Sequence, residues 1–197
     1  MPRKLTIFAI FAFEIALIVF MVAWSAWAQS NQIKFNVIAP PSCLNNTGEQ
    51  VQFKTVSNTG AKGAAGMAKR DENGILLVYR FDYELSPHSL QHFIDFHECA
   101  HHQTGDIGLP HPPQNSPEHM MNESIADCIA SMRIRDELIN GKEIIAAAIL
   151  ELTKAMDAAG FPTLTTQSRI SNITHCIQKD TSAEIFVDGV LKHRGLK

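Results

Sequence analysis

The chain has 197 residues, of which 45% are hydrophobic and 19% are charged. This balance predicts one globular domain and excludes an intrinsically disordered chain. The formal net charge is −3, and aromatic residues are not interleaved with Arg and Lys, so we expect no nucleic-acid partner.

The first residues of the chain have the pattern of an export signal. A short positive start precedes an apolar stretch over residues 5–24, and an Ala-x-Ala pattern ends at Ala28, as signal peptidase cleavage requires. We therefore predict a signal peptide over residues 1–28 and a single mature domain over residues 29–197, exported to the periplasm or secreted. The alternative is an uncleaved membrane anchor over residues 5–26, because the apolar stretch is about long enough to span a bilayer. Only in that case do we expect a membrane partner.

Three segments of the mature chain have the composition of β-strands. Residues 33–39 and 50–56 alternate in polarity and contain β-branched side chains, and residues 75–81 form the strongest strand pattern. Residues 58–66 are rich in Gly and Ala, which predicts a flexible loop, and their glycines lack the spacing of a phosphate-binding loop. We expect the strands to form a small antiparallel sheet.

The second half of the chain is predicted to be helical. Ser86 and Ser116 are each followed by proline, which favours a helix start, because serine caps the first turn and proline fits its first position. Gly105, Gly141 and Gly160 mark helix ends. Helices are therefore expected over residues 87–103, 117–140, 142–159 and 166–178. The predicted fold class is α+β, with the sheet preceding the helical half.

The first predicted helix carries a His-Glu-x-x-His motif. His97 and His101 are separated by about one helical turn, so their side chains project from one face and can share a metal ion. Imidazole nitrogens suit zinc, and Zn²⁺ is the predicted cofactor. Glu98 lies one residue further round the helix, where it can reach a water at the metal without binding the metal. We predict that Glu98 is the catalytic general base.

The next helix supplies candidates for a third ligand. Glu123 and Asp127 are four residues apart, so both carboxylates point the same way. We predict that Glu123 binds the metal and that Asp127 accepts a hydrogen bond from Nδ1–H of a ligand histidine. His119, one turn before Glu123, is a rival ligand of lower rank. His102 is expected to face solvent or the surroundings of the metal rather than the metal itself.

The four cysteines all lie in the mature part of the chain, and an even number in an oxidising compartment indicates two disulfides. Cys99 and Cys128 each lie on one of the two proposed metal-ligand helices, whereas Cys43 and Cys176 lie near the two ends. We therefore expect the pairs Cys99–Cys128 and Cys43–Cys176. The alternative for Cys99 and Cys128 is a pair of small buried thiols on packed helices.

The two helix motifs together resemble the gluzincin clan of zinc peptidases, to which thermolysin belongs. A closer resemblance is to small bacterial neutral zinc metallopeptidases, which are exported or membrane-anchored. These tend to show His-Glu-x-x-His-His followed by Glu-x-x-Ala-Asp-Cys, the pattern of residues 97–102 and 123–128 here. The match covers two helices and, more loosely, residues 75–135.

This resemblance implies an exported zinc-dependent endopeptidase with a protein or peptide substrate. It implies that the metal is held by His97, His101 and Glu123. It also implies that the strand over residues 75–81 lies along the cleft, where an extended peptide could pair with its edge. Gluzincins usually add a His or Tyr that hydrogen-bonds the oxyanion. The candidates for that group in this sequence are Tyr79, Tyr83 and His175.

Two non-catalytic functions remain open. The first is an exported zinc-binding protein, in which a fourth protein ligand such as His102 or His119 closes the site. The second is an envelope assembly factor that keeps a peptidase-like fold without turnover. Neither function requires a general base beside the metal, so the presence of Glu98 favours the peptidase.

Overall fold

A computed structural model describes residues 34–57, 65–114 and 116–197 of the chain, and the predicted signal peptide lies outside these residues. The elements all belong to one unit, Phe35–Lys197. The strands are β1 (Gln52–Val56), β2 (Gly66–Arg70) and β3 (Leu76–Phe81). The α-helices are α1 (His88–Gln103), α2 (Pro117–Glu137), α3 (Gly141–Ala158), α4 (Thr163–Ile177) and α5 (Ala183–His193). The predicted α+β class is confirmed.

The sheet is mixed rather than antiparallel. β3 lies in the centre, with β1 parallel to it on one side and β2 antiparallel to it on the other. The prediction of an antiparallel sheet is therefore wrong for β1, because the unpredicted strand β2 reverses the chain between β1 and β3. A tight turn joins β2 to β3, in which the Asp71 carboxylate accepts hydrogen bonds from the backbone N–H groups of Asn73 and Ile75 (2.9 and 2.8 Å).

The central position of β3 also corrects the expectation about the cleft. Both edges of β3 are paired, so β3 has no edge to offer to a peptide. Within the described parts of the chain, β2 pairs with β3 alone, and its outer edge is the one beside helix α1. Any strand addition at this side of the sheet would therefore involve β2.

The described part of the first predicted strand, residues 34–39, forms no strand. Instead, the backbone N–H of Ile38 donates to Gln91 Oε1 (3.0 Å), and Gln91 Nε2 donates to the carbonyl oxygen of Asn36 (3.2 Å). The backbone groups of this segment therefore bond to a buried glutamine of helix α1 and not to the sheet.

Helices α1 to α4 match the four predicted helices, with ends that differ by a few residues. Ser116 caps α2 as expected, since its Oγ accepts from the backbone N–H of His119 (3.2 Å) and Pro117 is the first helical residue. Helix α5 was not predicted. Its start carries the same signal, because Ser182 Oγ accepts from the backbone N–H of Ile185 (3.3 Å).

A buried cluster between α1, α2 and α3 holds the two motif-bearing helices together. It brings Phe93 and Phe96 of α1 against Ala130 and Ile134 of α2 and Ile145 of α3. Burial of each large apolar side chain contributes on the order of 2 kcal/mol to folding. Phe93 lies one turn before His97 on the same face of α1, and Ala130 lies three residues after Asp127 on α2, so the cluster continues directly into the motif residues.

Two disulfides are present, as predicted, but the predicted pairing is wrong. Cys43 bonds to Cys99, and Cys128 bonds to Cys176. The reason is that Cys99 faces the sheet, where it packs beside Val51, whereas Cys128 lies on the face of α2 that meets α4. The two disulfides indicate an oxidising environment. Among the described residues, no helix has both the length and the hydropathy needed to cross a membrane.

Candidate metal centre

Three side chains from the two motif helices converge on one point. The Nε2 atoms of His97 and His101 are 3.3 Å apart, and each faces one oxygen of Glu123, at 3.4 Å for His97 and 3.5 Å for His101. Within the described residues, this is the only group of three His, Cys, Asp or Glu side chains close enough to share an ion. This triad of His97, His101 and Glu123 could hold a metal ion.

The spacing of these donor atoms fits tetrahedral zinc. Zinc bonds of about 2.0–2.1 Å to nitrogen and oxygen place neighbouring ligand atoms roughly 3.3–3.4 Å apart. The two imidazole nitrogens already have this separation, and the carboxylate oxygens approach them at nearly the same distance. Two imidazoles and one carboxylate form a donor set that zinc accepts and that leaves a fourth position open.

A carboxylate from the same helix as Glu123 orients the first imidazole. Asp127 Oδ1 lies 2.9 Å from His97 Nδ1, which places this carboxylate behind the imidazole while Nε2 points at Glu123 and His101. Asp127 is fully buried and accepts a bidentate pair of hydrogen bonds from Arg169, at 2.8 Å from Nε and 2.6 Å from Nη2. The place of Asp127 behind a ligand histidine was predicted from the sequence, whereas the contribution of Arg169 was not.

A second carboxylate orients the other imidazole, and sequence analysis missed it. Asp106 lies in a short 3-10 helix just after α1, and its Oδ2 is 2.9 Å from His101 Nδ1. The hydroxyl of Thr104 also donates to Asp106 Oδ2 (3.1 Å). The available signal was an acidic residue directly after Gly105, the glycine that ends the helix. Each histidine of the triad therefore has its own buried or partly buried carboxylate behind it.

The charges of the metal-free site are strongly coupled. Burial of His97 opposes its protonation, but hydrogen bonds and charges from Asp127 and Glu123 raise its pKa to about 10. Burial of Glu123 opposes its ionisation, yet the hydrogen bond from His97 and the charges of His97, His101 and Arg169 hold its pKa well below the usual range. The carboxylates thus stay ionised and favour a cation between them. In the metal-free protein, the positive charge between these carboxylates is that of the protonated His97 imidazole.

Glu98 lies beside the triad without belonging to it. Its Oε2 accepts a hydrogen bond from the backbone N–H of Ala68 in β2 (2.7 Å), which fixes the carboxylate against the outer edge of that strand. Gly66 allows this approach, because a β-carbon there would lie 2.6 Å from Ile94 Cγ2 and 2.8 Å from Glu98 Cγ. The position of Glu98 therefore depends on a strand that sequence analysis did not predict.

The triad lies in a cleft that consists of two adjoining depressions. One depression combines polar and apolar residues, and it is lined by β2 from Gly66 to Ala68 and by Asp106, His111 and His119. The adjoining depression is mainly apolar and lies between α1, α3 and α4. Its lining includes Leu90, Phe93, Leu152, Met156 and Phe161, together with the charged Arg169.

Other histidines and tyrosines considered from the sequence lie elsewhere. His102 does not face the triad, as expected, but it is buried rather than exposed, and its Nε2 lies 3.0 Å from the carbonyl oxygen of Leu77 in the sheet. His119 lines the cleft, but its Nε2 is 4.0 Å from the nearer oxygen of Glu123.

Of the three candidates for the oxyanion group, Tyr83 is fully buried and donates to Asp95 Oδ1 (2.9 Å). Tyr79 stacks on Phe81 in the sheet, and His175 is exposed on α4. None of the three lines either depression beside the triad, so the structure does not support them in that role.

Comparison with known proteins adds no evidence for function beyond this geometry. No protein-family model, no curated protein and no solved structure matches the chain.

Proposed function

We propose that the protein is an exported zinc-dependent endopeptidase that hydrolyses peptide bonds. The observation that carries the proposal is the convergence of His97 Nε2, His101 Nε2 and the Glu123 carboxylate at zinc-ligand spacing, with the carboxylate of Glu98 beside them. The two disulfides support export, since such bonds persist in oxidising compartments.

Each of these residues of the cleft would have a separate role in hydrolysis. His97, His101 and Glu123 would hold the zinc, which when bound polarises the scissile carbonyl and lowers the pKa of water towards about 7. Glu98 takes the proton from the attacking water and then passes it to the leaving amine. Asp127 keeps His97 in the tautomer and orientation that present Nε2 to the site.

The outer edge of β2 supports a peptide as the substrate. Gly66, Met67 and Ala68 line the cleft, so an extended chain could lie beside them and bond to backbone groups other than the N–H of Ala68, which already donates to Glu98 (2.7 Å). The adjoining apolar depression would then receive one side chain next to the cleaved bond. A substrate with Leu, Phe or Met at that position would bury apolar surface there, which favours binding by up to a few kcal/mol.

The test replaces the proposed base and leaves the ligands unchanged. Wild type, Glu98→Gln and the control Glu143→Gln, which alters an exposed glutamate of α3, are loaded with zinc and incubated with a mixed peptide library. Mass spectrometry of the products gives the rates. Glu98→Gln should bind zinc normally and lose about 10²–10⁴-fold in rate, the usual contribution of a general base. Equal rates in wild type and Glu98→Gln would remove Glu98 as the base, and inactivity of zinc-loaded wild type would reject the peptidase.

One observation favours the non-catalytic alternative, in which the protein binds zinc for stability or assembly. His119 lines the same cleft as the triad, with Nε2 4.0 Å from Glu123 Oε1, and a small movement could make it a fourth ligand that closes the site. His102 cannot do so, because it faces the sheet. Loss of zinc from His119→Ala would support a closed site, whereas unchanged zinc affinity would support the open, catalytic one.

A further inference from the structure

Arg194 follows helix α5, far along the chain from both motif helices, yet it reaches the metal centre. Its side chain is 13% exposed and ion-pairs with Asp106 through Nη1, which also donates to the carbonyl oxygen of Thr104 (2.7 Å). Its Nη2 donates to the side-chain oxygen of Asn122 (2.8 Å). One guanidinium therefore joins the segment after α1 to the first turns of α2.

Each residue that Arg194 contacts adjoins a proposed metal ligand, either through a hydrogen bond or along the chain. Asp106 presents Oδ2 to His101 Nδ1 at 2.9 Å and Oδ1 to Arg194, so the two groups share one carboxylate. Asn122 directly precedes Glu123 in α2. Arg194 thus contacts the hydrogen-bond partner of one proposed ligand and the chain neighbour of another, and it links the segment after α1 to α2.

Packing of the following residues reinforces this contact. The backbone N–H of Leu196 donates to the carbonyl oxygen of Leu191 (2.9 Å), which folds the chain back after α5. Leu196 then covers Gly105, where a β-carbon would lie 2.6 Å from Leu196 Cδ1. Gly105 has φ 78°, a conformation that glycine adopts without strain, and it is the turn that aims Asp106 at His101.

We propose that Arg194 is a positioning residue of the metal centre, which holds Asp106 against His101 and aligns the Glu123 helix with the His97–His101 helix. The inference rests on the metal site of the proposed function and not on its hydrolytic activity. Loss of Arg194 leaves Asp106 without its cation and the junction of α1 and α2 without its bridge. The metal-free protein would still fold, because the main core between α1, α2 and α3 does not include Arg194.

The test compares metal affinity among four proteins. They are wild type, Arg194→Ala, Arg194→Lys and the control Arg135→Ala. Arg135 is matched to Arg194 in burial, at 14% exposed, and in its contacts, since it pairs with Asp136 and donates to the carbonyl oxygens of Lys179 and Thr181 in the connection between α4 and α5. The dissociation constant for zinc is measured by competition with a chelator. The absorption spectrum of the cobalt-substituted protein reports the ligand geometry.

Arg194→Ala should bind zinc about 10–100-fold more weakly than wild type and show an altered cobalt spectrum, as expected when support behind a ligand histidine is lost. Arg194→Lys should fall between the two, because an ammonium cannot bridge both acceptors; this variant also serves if Arg194→Ala does not fold. Arg135→Ala should match wild type in affinity and spectrum even if its unfolding temperature drops. Wild-type affinity in Arg194→Ala, or equal weakening in Arg135→Ala, would overturn the inference alone. Absence of zinc binding by wild type would overturn it together with the metal site.

Discussion

Replacement of Asp127 by Asn tests the support behind His97. Asp127 is fully buried, lies 2.9 Å from His97 Nδ1 and accepts two hydrogen bonds from Arg169. The substitution keeps the shape of the side chain but removes its charge. It therefore acts on two quantities at once, the free energy of unfolding and the affinity for zinc.

The two effects have different sizes and different causes. The free energy of unfolding of the metal-free protein should fall by up to about 3–5 kcal/mol, because the partly buried guanidinium of Arg169 loses its closest ionic partner and keeps the more distant Glu123, at 4.0 Å. Zinc affinity should fall about 10–100-fold, or roughly 1.4–2.7 kcal/mol, because His97 loses the carboxylate that fixes its tautomer. The double variant Asp127→Asn/Arg169→Met removes the unpaired cation. Most of the stability should return in that variant, while zinc affinity stays low.

The assay combines urea unfolding of the metal-free proteins with chelator competition for zinc. Asp136→Asn is the control, since Asp136 is an acidic residue of the same helix that pairs with an arginine but is more than a third exposed. This control should change neither quantity by more than about 1 kcal/mol. If the double variant regains wild-type zinc affinity along with its stability, Asp127 stabilises the fold and has no specific effect on His97.

Two further predictions concern the proton and the disulfides. Because the pKa of His97 is about 10 without metal and zinc needs its neutral nitrogen, zinc binding between pH 7 and 9 should release at least one proton, and affinity should rise about tenfold per pH unit. Calorimetry in buffers of different ionisation enthalpy measures this, and zero proton release would contradict it. Cys128→Ala/Cys176→Ala opens a link between residues 48 positions apart and should lower the free energy of unfolding by about 2–4 kcal/mol. Urea unfolding of that variant with an unchanged midpoint would show that the disulfide does not stabilise the fold.

Local periodicity was enough to pair the side chains of the candidate metal site within each helix. His97 and His101 lie on one helical face because four residues make about one turn, and the same spacing relates Glu123 to Asp127. The helix boundaries were predicted from serine, proline and glycine signals, which are also local. Each of these inferences depends only on residues within a few positions of one another, which is the range over which a sequence pattern determines geometry.

Features that depend on tertiary packing were missed or mispredicted. Arg194 is distant in sequence from Asp106, and nothing local to either residue predicts their contact. The disulfide pairing depended on which face of α1 carries Cys99, and that face became clear only once the sheet was seen to pack against it. His102 was expected to face solvent or the surroundings of the metal, yet it is buried, with Nε2 beside a backbone carbonyl of the sheet. In each case the deciding partner comes from another element.

The metal content of the purified chain tests the central claim most directly. Elemental mass spectrometry is applied to wild type, to Glu123→Ala and to Glu118→Ala, a control that alters an exposed glutamate of the same helix. We predict about one zinc per chain in wild type and in the control, and a clear loss in Glu123→Ala, because two histidines alone make a weaker site. No stoichiometric metal in wild type after zinc is offered would contradict the account, since the convergence of His97, His101 and Glu123 would then have no ion to hold.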